Sequence, residues 1–471
     1  MNRRDLLARS ISGAIAGGAL YSAQGALSLL HAASLDSNPV RGTGGEYKAL
    51  VCVFLNGGNC SLNTITPRDN VRYARYAAMR GPLALAQNSL LALNPSVALP
   101  NGQAYGLHPN MSEVAALFNT GRAAVVANVG PLIEPLNRQQ FRDGSRLVPP
   151  QLFSHSDQQV FWQTSRPDLS SKIGWGGRIA DLVQQYNLNQ TLSLSMTLGG
   201  DNIFQVGNGV QPYSVGNNGP ERRAGYYDSG NANRRAAINA LLGNSQSNVL
   251  EREFARIQTR AIANYDVVSA ALAAAPTLST VFPTDEPIVA RLSAQLRMCA
   301  RLLSARNSLD QRRQIFFVQM GGYDFHDRHL SDQANNLRAL SRGLKAFYDA
   351  TVEMGISEQV TAFTASDFGR TYTINGDGTD HGWGAEHFVI GGAVNGQRVY
   401  GDFPLMLSGG SDDAGWGQII PKLAVDQYMA TLGRWFGLSE SNIDLIVPNL
   451  GRFGESGGRN LGFMASAAVL P

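Results

Sequence analysis

Four runs in this chain are too apolar to face water on either side and too short for buried helices: Tyr47–Leu55, Ala123–Gly130, Gln314–Met320 and Gln359–Ala365. Continuous β-branched and apolar runs of this kind read as buried strands, and the helices expected over Arg235–Ala274 and Glu286–Leu309 should cover one face of their sheet. The first is closed by Asn56-Gly57-Gly58 and the third by Gly321-Gly322, where the backbone can turn sharply. Shorter strands are expected over Thr191–Leu198 and Phe388–Gly392. The spacing predicts helices over Asn110–Asn119, with Asn110 as N-cap and Glu113 at the capping-box position, and over Trp175–Leu188, Arg235–Ala274, Glu286–Leu309, Ser331–Met354 and Ile420–Phe436. Gly437 suits the last as a C-cap. Strand, helix and strand from Tyr47 to Gly130 read as a right-handed parallel unit. The whole is an α/β chain built on an open, mainly parallel sheet. Ligands of such sheets gather at the carboxyl ends of strands, here Asn56–Cys60, Gly130, Gly322–His329 and Ser366–Arg370. Gly199–Asn233, dense in Gly, Asn, Pro and Tyr, reads as an irregular insertion.

The amino terminus carries an address. Arg3-Arg4 precede a weakly apolar, Gly/Ala-rich run from Ile11 to Leu30, and small residues follow at Ala32, Ala33 and Ser34. That is the pattern of a twin-arginine export signal over residues 1–34, followed by a linker over 35–46 and one domain over 47–471. The expected location is therefore periplasmic or extracellular. No later segment reaches about 18 uninterrupted apolar residues, so no stable transmembrane segment is expected after signal removal. A net charge of +3 with 16% charged residues gives no electrostatic case for nucleic acid. Three cysteines, Cys52, Cys60 and Cys299, do not make a disulfide framework.

The chemistry concentrates between Ile315 and His387, which holds four of the seven histidines beside Asp324, Asp327, Asp367, Asp377 and Asp380. Imidazole mixed with carboxylate suits zinc, or manganese where carboxylates dominate. Asp324, His326 and His329 follow the Gly-Gly turn and can converge in one loop to hold a metal or an anion. Asp367 ends the next strand. Arg370 has the fork to hold an oxyanion bidentately, or else pairs with Asp367. His381 offers a third ligand, while His387, at the start of a strand, reads as a packed core residue. Ser154 and Ser156 flank His155 at a helix start, where a serine can be activated or can simply form a turn. No serine sits between glycines in a Gly-x-Ser-x-Gly elbow after a readable strand.

Val53-Phe-Leu-Asn-Gly-Gly-Asn-Cys-Ser-Leu-Asn-Thr-Ile-Thr-Pro67, Gly106-Leu-His-Pro109, Gly321-Gly-Tyr-Asp-Phe-His326, Ser366-Asp-Phe-Gly-Arg-Thr371 and Asp380-His-Gly382, together with the twin-arginine start, resemble an exported bacterial family, the domain of unknown function fifteen-oh-one. That family is grouped with alkaline phosphatases and sulfatases. The resemblance implies their fold, a three-layer sandwich with a large mainly parallel sheet between helices and metals at the strand ends. It also implies a nucleophile at Ser154, or else Ser156, and one metal site from Asp324 with His326 or His329 and His381. Of the other site it implies only Asp367, since Phe368 has no ligand atom and the first Asp of the superfamily falls at Asn59 or Cys60; Cys60 could substitute as a soft thiolate. The sulfatase Cys-x-Pro-x-Arg pattern is missing at Cys60. The expectation is an exported hydrolase of phosphate or sulfate esters, small or polymeric, with a single divalent metal. The alternative is a cell-envelope binding or scaffold protein that keeps the fold without the catalysis.

Overall fold

A computed structural model describes residues 46–244, 248–454, 458–467 and 469–470. The signal expected over residues 1–34, and all but the last residue of the linker, lie outside the described residues.

A nine-stranded sheet forms the centre, and its strands are numbered here in chain order. They are β1 (Lys48–Leu55), β2 (Ala123–Gly130), β3 (Ser195–Thr197), β4 (Tyr213–Ser214), β5 (Arg313–Met320), β6 (Val360–Ser366), β7 (Ala385–Gly391), β8 (Val399–Tyr400) and β9 (Leu423–Ala424). The spatial order is β8-β2-β7-β6-β1-β5-β3-β4, with β9 pairing β2 off this path. β7 runs antiparallel to β2 and β6, and the remaining pairings are parallel. β1 sits between β5 and β6, Val51 facing Phe316 on one side and Ala362 on the other.

The period-two geometry of a strand divides its side chains between two cores. Ala49, Val51, Val53 and Leu55 of β1 join Phe316 and Val318 of β5 on one face. That face is covered by α2 (Ser112–Asn119), α5 (Pro287–Ser304) and α6 (His329–Glu353), the numbering leaving α1 for Asn70–Arg80. Leu50, Cys52 and Phe54 join Ile315 and Phe317 on the other face, under α4 (Trp175–Val183) and α7 (Val425–Phe436), with α3 (His155–Thr164) contributing Trp162. The architecture is thus the expected three-layer sandwich. Cys52, Cys60 and Cys299 are free and buried.

Several local expectations shift. α2 begins at Ser112 because the Asn110 amide donates to the Ala334 carbonyl at 3.0 Å and Glu113 accepts from Ser341 at 2.8 Å, tertiary partners that replace the capping box. The long helix expected over Arg235–Ala274 is two, Ala232–Gly243 and Val249–Ala274. Ile420–Ala424 is not helical, because Leu423 and Ala424 pair with Val129 and Gly130 of β2. β1 and β2 run in the same sense but are not neighbours, since β6 and β7 lie between them. Gly437 does end α7 in a left-handed conformation, φ 115°. Among the described residues no helix is long and apolar enough to cross a membrane.

Candidate metal centre

The parallel strands β1, β5 and β6 end on one edge, and the loops leaving them meet there. Gly57, after β1, adopts φ +114°, and a Cβ on it would come within 2.5 Å of the Asp324 backbone nitrogen. Glycine at this position is what lets the Asp324 loop lie against β1. Asp324 and His326 arrive from the loop after β5, Asp367 and Arg370 from that after β6, and His381 from the excursion joining β6 to β7. His155 is the first residue of α3, next to the N-cap Ser154.

Three imidazoles surround one carboxylate. His326 Nε2 lies 3.0 Å from Asp324 Oδ1, His381 Nε2 lies 3.3 Å from the same oxygen, and His155 Nε2 lies 3.4 Å from Asp324 Oδ2. His326 Nε2 and His381 Nε2 are themselves 3.0 Å apart. The opposite nitrogen of each ring is turned to an acceptor: His155 Nδ1 to Asp367 Oδ2 at 2.7 Å, His381 Nδ1 to the Phe153 carbonyl at 2.7 Å, and His326 Nδ1 to Asp380 Oδ1 at 3.6 Å. For His155 and His381 these Nδ1 contacts are of hydrogen-bond length, and a proton held on Nδ1 turns Nε2 toward Asp324 as an acceptor, the pattern that second-shell acceptors impose on metal-ligating histidines. His155 Nε2 is moreover buried without a hydrogen-bond partner among the described residues, an orphan that a metal bond would satisfy. One atom each from His155, Asp324 and His381 lies within 4.8 Å of the others, the group of this kind found among the described residues. The donor set fits a divalent cation such as zinc.

The surroundings tune this cluster. Hydrogen bonding to Asp367 raises the His155 pKa above its usual value. Burial lowers that of His381, which favours its neutral, ligating form. Burial alone would raise the Asp324 carboxyl, but Arg370 beside it brings the net shift downward. Phe153 stands at φ 70°, a costly conformation for a residue with a side chain, and its carbonyl is the one that orients His381. The Phe368 ring packs against both imidazoles, 4.8 Å from His155 and 4.8 Å from His381, while the two imidazole rings meet edge to face at 4.2 Å.

The site residues expected from sequence are partly regrouped. Asp324, His326 and His381 come together as expected. His329 does not join them: it is fully buried, with Nε2 2.7 Å from Gln333 and 3.3 Å from Arg80, and Nδ1 3.3 Å from Thr379. As the first residue of α6 its ring is turned into the layer beneath, against Arg80. Asp367 is fully buried behind His155, also accepting from the Gly57 amide at 3.1 Å and Gln159 at 2.8 Å. Arg370 is buried too, bonding Asp324 and the Thr379 carbonyl, and donating to the Gly57 carbonyl at 3.2 Å. It partners Asp324 rather than Asp367, and its fork is taken up by the protein. The Ser154 hydroxyl donates to Asp157 at 2.6 Å and lies 3.1 Å from Ser156. Cys60 is directed at Arg80, whose Nη2 lies 3.1 Å from its sulfur, and Asn59 is buried. His387 is the buried core residue expected, packed edge to face against Trp162.

His155 is the member of this His/Asp/His group that sequence reasoning missed. Its position in Phe153-Ser-His-Ser-Asp157 was visible, but nothing along the chain indicates that the imidazole, rather than a neighbouring hydroxyl, reaches a loop more than 160 residues away.

A protein-family profile described as "Protein of unknown function (DUF1501)" matches residues 47–442. The chain belongs to this family. No curated protein matches it. Among solved structures it is similar to Ps i-CgsB, at 10% identity and a TM-score of 0.34 over 85% of this chain and 74% of that one. It is also similar to the PsFucS1 sulfatase from Pseudoalteromonas sp., at 9% and 0.33 over 94% and 77%. A third is the lipoteichoic acid synthase LtaP from Listeria monocytogenes, at 9% and 0.30 over 82% and 78%. At TM-scores of this size, the chemistry of the DUF1501 chain rests on its own residues.

Proposed function

We propose that this DUF1501 protein is an exported, single-metal hydrolase of phosphate or sulfate esters. The observation that carries the proposal is the trio of imidazoles, each with Nδ1 turned to an acceptor and Nε2 facing Asp324. His155, Asp324 and His381, with His326 beside them, would hold one divalent cation. Such a cation, when bound, supplies Lewis-acid polarisation of an ester oxygen. The chain's own residues do the rest. Asp367 and the Phe153 carbonyl fix the ring tautomers. Arg370 keeps Asp324 ionised and in place. Ser154, adjacent to His155, is the proposed nucleophile. Asp157, 2.6 Å from its hydroxyl, accepts the proton as the serine oxygen bonds to phosphorus or sulfur and the bond to the ester's alcohol oxygen breaks. The alcohol leaves carrying that proton, and water then hydrolyses the serine ester to release phosphate or sulfate. The twin-arginine start supports export through that route.

One observation favours a second reading, a binding protein without turnover. Asp367 is sealed behind His155 and Phe368 carries no ligand atom, so a second cation has no evident place here and two-metal clamping of attacking and leaving oxygens is not supported.

The test is elemental analysis of purified protein, with thermal melts before and after chelation and a panel of phosphate and sulfate esters. About one equivalent of metal is expected, with a lower melting temperature on chelation. Ester turnover should be lost in His381→Ala and in Ser154→Ala. Absence of metal together with no chelation effect removes the proposal. Metal without turnover, and with metal retained in Ser154→Ala, selects the binding reading.

A further inference from the structure

Thr379 lies two residues before His381 and is fully buried. Its backbone amide donates to the Phe325 carbonyl at 2.9 Å, inside the loop that carries Asp324 and His326. A Cβ on the preceding Gly378 would come within 2.2 Å of the His326 carbonyl, so only glycine lets the two segments lie this close. The Thr379 carbonyl accepts from Arg370 Nη2, and the Thr379 hydroxyl accepts from Arg370 Nε at 3.2 Å. One residue thus takes a whole edge of the guanidinium, with the two-oxygen match that a carboxylate usually supplies. That leaves Nη1 to point the other way, to Asp324 and to the Gly57 carbonyl.

The proton of that hydroxyl is directed at His329. Thr379 Oγ1 lies 3.3 Å from His329 Nδ1, whereas Arg370 Nε can only donate. A His329 that accepts at Nδ1 carries its own proton on Nε2, and Nε2 faces Gln333 Oε1 at 2.7 Å. Gln333 is held in that sense because its Nε2 donates to the Cys60 carbonyl at 2.7 Å and to the Thr64 hydroxyl at 3.2 Å. Arg80 Nη2, 3.3 Å from His329 Nε2, has an acceptor of its own in the Cys60 sulfur at 3.1 Å. Donors therefore run one way, from Arg370 through Thr379, His329 and Gln333 to the Cys60 carbonyl, and bonds aligned head to tail reinforce one another.

We propose that Thr379 is a positioning residue of the metal centre: with its hydroxyl turned by His329, it aims Arg370 at Asp324 and so holds that carboxylate where the three imidazoles face it. The inference rests on the metal-binding reading of the site. It gives the buried His329 a part in that site although its ring reaches no ligand position, and it makes the hydroxyl of Thr379, not its bulk, the feature that matters.

The experiment has two arms, both on the full chain. In metal-free protein, nitrogen NMR of the imidazoles, assigned with His329→Gln, should show His329 protonated on Nε2 and bare on Nδ1. Zinc affinity is then measured by competition with a chromophoric chelator. Thr379→Val keeps the side-chain shape without the hydroxyl and should weaken zinc binding about tenfold, the lower end of what removing a partner behind a metal ligand costs. Thr379→Ser keeps the hydroxyl and should bind zinc as tightly as wild type. Thr431→Val is the control for lost stability. Thr431 of α7 is also buried, and its hydroxyl donates to the Gln427 carbonyl and accepts from the Leu461 amide, both at 2.9 Å. That variant should lower the urea midpoint as Thr379→Val does and leave zinc affinity unchanged. A proton on His329 Nδ1 overturns the inference, as does zinc affinity in Thr379→Val equal to that in Thr431→Val, or Thr379→Ser as weak as Thr379→Val. In each of these cases a wild type that binds zinc leaves the metal reading standing, whereas a wild type that takes up no zinc overturns both.

Discussion

Asp367 separates two accounts of the metal centre. As a ligand, the role expected of it from its place at the end of a strand, its loss should abolish metal binding. In the structure its Oδ2 instead lies 2.7 Å from His155 Nδ1, and its Oδ1 accepts from the Gly57 amide at 3.1 Å. Asp367→Asn keeps the shape and one acceptor oxygen but removes the charge that orients and polarises the imidazole. Removing an outer partner of this kind weakens metal binding roughly 10–100-fold, or about 1.4–2.7 kcal/mol. His381→Ala removes a ligand and should cost far more. The pH dependence carries a second signature. The bond to Asp367 raises the His155 pKa, so protonation of the metal-free protein competes with the cation at a higher pH than an unperturbed histidine would. In Asp367→Asn that pKa falls back, and the affinity, though lower at neutral pH, should hold to lower pH than in the wild type. Competition against a chromophoric chelator between pH 5.5 and 8 measures both effects. The reasoning fails if Asp367→Asn behaves like His381→Ala, or if neither the affinity nor its pH midpoint moves.

Two further predictions concern the buried layer under the site. Arg370 is 2% exposed and bonds two carbonyls as well as Asp324, so Arg370→Met leaves those acceptors without a donor and should destabilise by about 3 kcal/mol in urea unfolding; a change under about 1 kcal/mol would contradict the packing described. Burial disfavours charge on Cys60, but Arg80 and His329 outweigh it and bring the thiol down to about 6. With the folded value below the unfolded one, the thiolate's contribution is complete above about pH 9 and is lost as the pH falls toward 6, on the order of 4 kcal/mol at most. Urea midpoints at pH 6, 7.5 and 9 should therefore rise more steeply in wild type than in Cys60→Ser, and equal slopes would show that Cys60 stays neutral.

Much of this molecule follows from the sequence alone. The apolar runs at Tyr47–Leu55, Ala123–Gly130, Gln314–Met320 and Gln359–Ala365 read as strands, and with the helical spacing between them they point to an open, mainly parallel α/β sheet before any contact is known, while its place between two helical layers is what the family resemblance implies. The Gly-Gly turns and the polar residues behind them located the functional edge for the same local reason. Tertiary structure decided the rest, because pairing and ligation depend on which distant loops meet. It placed β6 and β7 between β1 and β2 and ended α2 two residues short at its start. It also turned His329 into the core, sealed Asp367 behind a histidine and spent Arg370 on Asp324. And it brought His155, at a helix start far in sequence from His326 and His381, to within 3.4 Å of the Asp324 carboxylate that all three face. Residue type shows that a side chain can bind a metal; only the packing of the loops shows which nitrogen is left free to do so.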